Sequence, residues 1–329
     1  MDRAPFIQHS LIRGGHTQTI AGTYLCRAGP YVAKQHAVEL SDGDQIILHD
    51  DCPDDWLDSG TIAILVHGLA GCHGSGYMRR IAEKLVARGA RSFRMDQRGC
   101  GAGSTLAKRA NNGARSEDIG AAVDYLRKRF PKSTIAIAGF SLGAAMTLKL
   151  AGVRGSSFNA DRILAVAPPL DFAKCSANME RGLNRSYSRY FAKLLVQHVT
   201  ENSILQSQLS ENVKVNPPRT LADFDRRVTA PLGGFRDVSD YYDHASPLHN
   251  LRDISVPTTI IAAKDDPLIP IEEFHTARFS PATTVHLPEH GGHLGFLANR
   301  KRSADPDWHW MDWRVVDCVS RSEPSPALH

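Results

Sequence analysis

The chain has 329 residues, of which 42% are hydrophobic and 22% are charged. These proportions are typical of a globular protein, so they exclude a disordered, collagen-like or coiled-coil chain. The net charge is +4 without a basic block, which gives no sign of nucleic-acid binding.

No apolar run reaches the ~20 residues of a membrane span, and the N-terminus lacks the apolar core of a secretory signal. We expect a cytoplasmic protein without an integral membrane segment. Peripheral contact with lipid is compatible with this expectation, and the oligomeric state is left open.

Short apolar runs alternate with helical patterns along the chain. A hairpin is predicted from residues 37–40 and 45–49, which flank the turn sequence Ser-Asp-Gly-Asp. Buried strands are predicted at 61–67, 90–95, 134–140, 163–167, 258–263 and 283–287, and helices at 77–88, 117–130, 142–151 and 308–319. This alternation predicts a mostly parallel sheet with helices on both faces and right-handed crossovers.

One long segment carries no buried strand pattern. It is too long for a plain connection, so we predict a helical cap at 171–252, inserted between a first core part at 1–170 and a second at 253–329. Apolar residues of the cap suggest an acyl-chain pocket, although packing on the sheet would require similar ones: Phe172, Leu183, Tyr190, Phe191, Leu194 and Leu195.

The sequence Gly-Phe-Ser-Leu-Gly at 139–143 fits the pattern G-x-S-x-G. It lies directly between a predicted buried strand and a predicted helix, which is the strand–turn–helix setting that a nucleophilic serine requires. Ser141 is therefore a candidate nucleophile. The plainer interpretation is a structural serine in a glycine-rich turn.

A serine nucleophile needs a base and an orienting carboxylate, and both types of residue follow later strand ends. The sequence Lys-Asp-Asp-Pro at 264–267 offers Asp266, preferred to Asp265 for its spacing to a later proline. His293 is preferred to His290 because two glycines free the loop before it. The chain order Ser, Asp, His is the one that α/β-hydrolases use. The two histidines lack a third ligand at metal spacing, so no metal site is predicted.

Two backbone N–H groups are predicted to stabilise an oxyanion. Leu142 follows the nucleophile, and Leu69 lies in the sequence His-Gly-Leu-Ala-Gly after the strand 61–67. The plainer interpretation of this second stretch is an ordinary connection between a strand and a helix. No P-loop lysine and no Rossmann glycine spacing occur, so no nucleotide cofactor is predicted.

These motifs together resemble the YheT-like branch of the α/β-hydrolases, which is related to fungal medium-chain ethyl-ester synthase/esterases and animal abhydrolase-domain lipases. The matching stretches, spread over residues 15–313, are GHTQT at 15–19, HGLAG at 67–71, DQRGCG at 96–101, GFSLG at 139–143, DDP at 265–267 and GGHLGF at 291–296, with shorter matches at 224–225, 241–243 and 246. The resemblance implies a triad of Ser141, Asp266 and His293, and activity on carboxylic esters of medium acyl length.

The sequence thus predicts an eight-stranded α/β-hydrolase with a helical cap, acting on small acyl esters through an acyl-enzyme and without a cofactor. Two alternatives are considered. The same triad could transfer the acyl group to an alcohol, or the fold could serve as a binding protein with a silent site.

Overall fold

A computed structural model describes residues 5–25 and 33–321 of the chain. It contains one sheet with the strand order β1-β2-β4-β3-β5-β6-β7-β8. The strands are β1 Lys34–Glu39, β2 Gln45–Asp51, β3 Ile62–Val66, β4 Arg91–Asp96, β5 Ile135–Phe140, β6 Arg162–Val166, β7 Thr258–Ile261 and β8 Thr283–His286. β2 is antiparallel to β1 and β4, and the other neighbours are parallel. The predicted eight-stranded, mostly parallel sheet is confirmed.

Helices cover both faces of the sheet. The α-helices are α1 Gly15–Tyr24, α2 Gly76–Val86, α3 Glu117–Arg129, α4 Leu142–Arg154, α5 Phe172–Met179, α6 Arg185–Glu201, α7 Ser203–Gln208, α8 Glu211–Val215, α9 Leu221–Phe224, α10 Ala230–Gly233, α11 Val238–Ala245, α12 Glu272–Thr276 and α13 Trp310–Val319. Shorter 3₁₀ turns are Gly101–Gly103, Gly155–Ser157, Gly182–Asn184 and Leu248–Asp253, and Asp225–Thr229 forms a turn of π-helix.

Two apolar layers enclose the sheet, because the central strands β3 and β5 are buried on both faces. One layer contains Ile119 and Val123 of α3 with Leu148 of α4. The other contains Ile81 of α2 and Val315 of α13. The sheet is therefore held rigidly from both sides, and the carboxyl ends of its parallel strands form a firm edge for a site.

Between β6 and β7 the chain forms helices and the loops that join them, and it includes α5 to α11. An apolar cluster joins helices α6 to α9 and the π-helical turn: Val199, Leu205, Leu209, Val213, Phe224 and Val228. The cap boundaries at 171 and 252 stay a prediction. Within residues 5–25 and 33–321, no helix combines the length and apolar character needed to cross a bilayer.

Candidate active site

Ser141 lies at the sharp turn between β5 and α4, with backbone angles φ 50° and ψ −117°. A left-handed conformation is unfavourable for a residue with a side chain, and such strain is typical of a nucleophile turn. Gly143 permits the turn, since a Cβ there would lie 2.5 Å from the carbonyl oxygens of Val66 and His67. Both obstacles are backbone atoms of the β3 end and cannot move aside. Helix α4 can therefore pack this closely only with glycine at 143.

The three side chains singled out for a triad lie in one continuous hydrogen-bonded row. Ser141 Oγ is 2.9 Å from His293 Nε2, and His293 Nδ1 is 2.8 Å from Asp266 Oδ2. The second oxygen of Asp266 accepts the N–H groups of Leu268 at 2.8 Å and Ile269 at 3.1 Å. Its carboxylate is buried and fixed on both sides, which is what an orienting group requires.

The neighbouring candidates form a second, separate pair. Asp265 Oδ2 lies 3.2 Å from His290 Nδ1, and its other oxygen accepts the N–H of Gly292 at 2.9 Å. His290 is exposed. The structure therefore brings Asp266 and His293 to Ser141, and it places Asp265 and His290 outside this row, in support of the loop.

The two proposed oxyanion donors are available. Leu142 is the first residue of α4, so its N–H lies at the positive end of a helix dipole. Within the described ranges, neither this N–H nor that of Leu69 has a hydrogen-bond acceptor. The β3 loop approaches the nucleophile closely, because a Cβ at Gly68 would lie 3.1 Å from the Cβ of Ser141. The N–H of Gly68 itself donates to the Tyr77 hydroxyl at 3.1 Å.

A buried carboxylate holds the continuation of this loop. Asp96 accepts the backbone N–H of His73 at 2.6 Å, the His73 ring at 2.7 Å, the His49 ring at 2.9 Å and the N–H of Ala102 at 2.8 Å. These hydrogen bonds outweigh burial and lower the pKa of Asp96. In the part of the chain that is described, these three side chains alone could offer a metal three clustered ligands. The Asp96 carboxylate already accepts four hydrogen bonds, so its role here is structural: it holds the loop and the two histidine rings in place.

Ser141 and His293 open into a cavity of about 640 Å³ between the sheet edge and the cap. Its lining is mostly apolar and includes Phe172, Met179, Phe191, Leu221, Leu268 and Ile269. Of the cap residues suggested for an acyl pocket, Phe172 and Phe191 line this cavity. Leu183 and Tyr190 are 76% and 47% exposed, so their assignment to a pocket was wrong: they lie on the outer face.

Helix α1, which the periodicity did not predict, supports the histidine loop. Thr19 Oγ1 accepts the backbone N–H of His293 at 2.8 Å and donates to the Gly15 carbonyl at 2.7 Å. The buried Gln18 side chain accepts the N–H of Leu297 at 2.7 Å and donates to its carbonyl at 3.1 Å. These bonds fix the backbone on both sides of the imidazole.

The contact between α1 and this loop is too close for side chains. A Cβ at Gly292, where φ is +57°, would lie 2.3 Å from the Gly15 carbonyl, and one at Gly295 would lie 2.4 Å from that of Gln18. The only sequence signal for this contact was the GHTQT stretch itself. Its partners lie more than 270 residues further along the chain.

Comparison with known proteins places the chain in a family. A family model described as serine aminopeptidase, S33, matches residues 59–295, and the chain belongs to that family. YheT of Escherichia coli (strain K12) is 29% identical over 326 residues, covering 96% of this chain and 93% of YheT. Phospholipase ABHD3 of Mus musculus is 27% identical over 297 residues, covering 85% of this chain and 70% of the mouse protein.

A solved structure with the same fold is the esterase Pf2001 of Pyrococcus furiosus. It has a TM-score of 0.55 and 17% sequence identity, and the match covers 89% of this chain and 97% of that one. The fold is therefore that of the α/β-hydrolases, and the predicted YheT-like branch is confirmed. The chain is an ester-hydrolysing enzyme of this class, so the alternative of a protein that only binds is wrong.

Proposed function

We propose that the chain is a serine hydrolase that cleaves carboxylic esters of short to medium acyl length through an acyl-enzyme. The observation that carries the proposal is the unbroken row of hydrogen bonds from Ser141 through His293 to Asp266. A serine hydroxyl becomes a useful nucleophile only beside a positioned base, and the base keeps its tautomer only beside an orienting acceptor.

The reaction begins when Ser141 Oγ attacks the ester carbonyl carbon and His293 Nε2 takes the hydroxyl proton. Asp266 accepts the hydrogen bond from Nδ1 and stabilises the imidazolium that forms. The tetrahedral intermediate then expels the alcohol, whose oxygen receives the proton from Nε2. Water attacks the acyl-enzyme with His293 again as base, which releases the acid and restores the serine.

Charge that develops on the carbonyl oxygen is stabilised by the N–H groups of Leu69 and Leu142. Donors of this kind are worth ~3–4 kcal/mol each when they are held in place before the reaction. Both N–H groups are free to serve, and the neighbouring backbone is fixed by the Tyr77 contact to Gly68 and by the start of α4.

The apolar cavity supports an acyl chain as part of the substrate. Most of its wall consists of apolar side chains, which a hydrocarbon chain can contact. Relatives named phospholipase ABHD3, monoacylglycerol lipase and medium-chain fatty acid ethyl ester synthase/esterase 2 agree with an acyl ester as the substrate.

The test is a series of p-nitrophenyl esters from acetate to palmitate, assayed with the wild type and with Ser141→Ala. We expect the highest kcat/KM at short to medium chains and a loss of at least about 10³-fold in the variant. The matched control is Ser207→Ala, which removes an exposed serine of the cap and should leave the rates unchanged. Mass spectrometry should show one fluorophosphonate adduct, on Ser141. Equal hydrolysis by the wild type and Ser141→Ala would refute the proposal.

A further inference from the structure

A second cavity adjoins the first on the side of the oxyanion donors. It has about 690 Å³, and both cavities are lined by Leu69, Leu142, Asp225 and Tyr241. Ser141 and His293 line only the first cavity. The two cavities therefore lie side by side at the oxyanion donors Leu69 and Leu142.

Asp225 is the buried acid at the junction of the two cavities. Its Oδ1 accepts the Thr229 hydroxyl at 2.8 Å, and its Oδ2 accepts the Tyr242 hydroxyl at 3.1 Å. The Tyr242 oxygen lies 2.7 Å from Ser176 Oγ, so the hydroxyl network continues along the first cavity. Asp225 opens a turn of π-helix, a distortion that frequently occurs at functional sites.

No cation offsets the charge of this acid within the part of the molecule that is described. Burial raises the pKa of Asp225 to about 7, against the effect of its two hydroxyl donors. A carboxyl group can take part in about four hydrogen bonds, and the protein uses two of them here. Asp225 therefore keeps hydrogen-bonding capacity for a group that enters from the cavities.

Asn111, which also lines the second cavity, carries an unsatisfied acceptor. Asn111 donates through Nδ2 to Gln97 Oε1 at 3.1 Å, but its own Oδ1 is buried without a hydrogen-bond partner. Leaving such an acceptor unpaired costs free energy, which a hydrogen bond from a ligand hydroxyl would recover. Apolar side chains of the cap form much of the remaining wall of this cavity: Leu195, Val199, Leu205, Phe224 and Val228.

Arg98, the cation in the wall of the second cavity, is already engaged by carboxylates. Arg98 is held by Asp118 at 2.8 Å, Asp42 at 2.7 Å and Asp44 at 3.1 Å. His198 reaches the wall from α6, and Tyr241 reaches it from α11. The oxygens of Asp225 and Asn111 are thus acceptors with capacity for a ligand at this cavity.

We propose that Asp225 and Asn111 form a polar subsite that binds a free hydroxyl group of the ester substrate, beyond the oxyanion donors. The preferred substrates are then hydroxyl-bearing esters rather than purely alkyl ones. This inference rests on the proposed ester hydrolysis at Ser141. A hydroxyl suits Asp225 in either protonation state, because the carboxylate accepts from it and the carboxylic acid can donate to it. An ammonium group would require the acid to stay ionised in a largely apolar wall.

The first experiment uses the wild-type enzyme and pairs of substrates that differ only in the O-methylation of their free hydroxyl groups. One pair is 1-octanoylglycerol and its di-O-methyl ether, in which the hydroxyls belong to the alcohol. The other pair is ethyl 8-hydroxyoctanoate and ethyl 8-methoxyoctanoate, in which the hydroxyl belongs to the acyl chain. We expect kcat/KM to be at least about tenfold higher for the free hydroxyl in one pair. The pair that discriminates identifies the half of the ester that reaches the subsite.

The second experiment assigns that preference to Asp225. Asp225→Leu should reduce the hydroxyl-to-methoxy ratio to near one, and Asp225→Asn, which keeps an acceptor and a donor, should retain part of it. Asn111→Leu should lower the ratio as well. The control Asp243→Asn changes an exposed acid of the same cap and should keep the wild-type ratio. Thermal melting checks that each variant is folded.

Three results would overturn the subsite. The first is equal kcat/KM within both substrate pairs. The second is a hydroxyl-to-methoxy ratio that stays unchanged in folded Asp225→Leu. The third is an Asp225-dependent hydrolysis of choline octanoate that is faster than that of 1-octanoylglycerol. In each case the proposed function would still stand if the wild type hydrolyses p-nitrophenyl esters and Ser141→Ala does not. Failure of that hydrolysis in the wild type would instead remove the proposed function itself.

Discussion

Replacement of Asp225 by asparagine should change how the stability of the protein depends on pH. The folded protein holds a proton on Asp225 up to about pH 7, whereas the unfolded chain releases it near the ordinary value of 3.8. Between these values the folded state binds more protons than the unfolded state, so the free energy of unfolding falls as pH rises. Asparagine cannot ionise, and its amide can still pair with the hydroxyls of Thr229 and Tyr242. The variant should therefore lack this fall.

The size of the effect follows from the two pKa values. Each pH unit between them is worth about 1.4 kcal/mol, so the interval from pH 5 to the folded pKa of about 7 corresponds to about 3 kcal/mol. The full interval from 3.8 would give about 4 kcal/mol. The stability of Asp225→Asn relative to the wild type should therefore rise by about 3 kcal/mol between pH 5 and pH 8. It should stay constant above pH 8.

The measurement is urea unfolding of both proteins at one-unit steps from pH 5 to pH 9, with the difference in unfolding free energy plotted against pH. Asp243→Asn serves as the control, because this exposed acid should give a curve parallel to the wild type. Parallel curves for Asp225→Asn and the wild type would refute the reasoning. They would mean that Asp225 ionises as readily in the folded protein as in the unfolded chain.

Three further predictions concern the fixed geometry of the site. Thr19→Val should lower kcat about tenfold, because it leaves the imidazole loop with an unpaired N–H, and Thr19→Ser should restore the rate in the same ester assay. Gly143→Ala should lower the unfolding free energy by ~3 kcal/mol or more in urea titrations, whereas Gly74→Ala, where a Cβ would meet only a sulfur at 3.5 Å, should have little effect. Asp266→Asn should reduce kcat by ~10³–10⁴, and Asp265→Asn by less than about tenfold. Equal losses in the two aspartate variants would contradict the assignment.

Much of the sheet was predictable because its central strands are buried on both faces. Such strands are short, continuous runs of apolar residues. The predicted runs at 61–67 and 134–140 differ from the observed strands β3 and β5 by no more than one residue at either end. The grouping of the serine, aspartate and histidine could be predicted from their order in the chain for a related reason. Each residue follows a strand end, and the ends of parallel strands share one edge of the sheet.

The N-terminal and cap contacts were not predictable to the same degree. Helix α1 is short and has weak amphipathic character, so its sequence gives little evidence of a helix. It is stabilised instead by tertiary hydrogen bonds such as that from His293 to Thr19. The cap was predicted only as a helical segment, since its several short helices leave no long periodic stretch. The exposure of Leu183 and Tyr190 depends on how those helices turn, which local sequence does not encode.

The attachment of α1 to the histidine loop has a consequence for biosynthesis. Gln18 and Thr19 are synthesised more than 270 residues before Leu297 and His293, so the imidazole loop acquires this support only after those later residues have been made. A nascent chain can complete the central strands and still have no working base beside its serine. For the proposed triad, catalytic competence therefore requires that these two segments, far apart in the chain, come together after both have been synthesised.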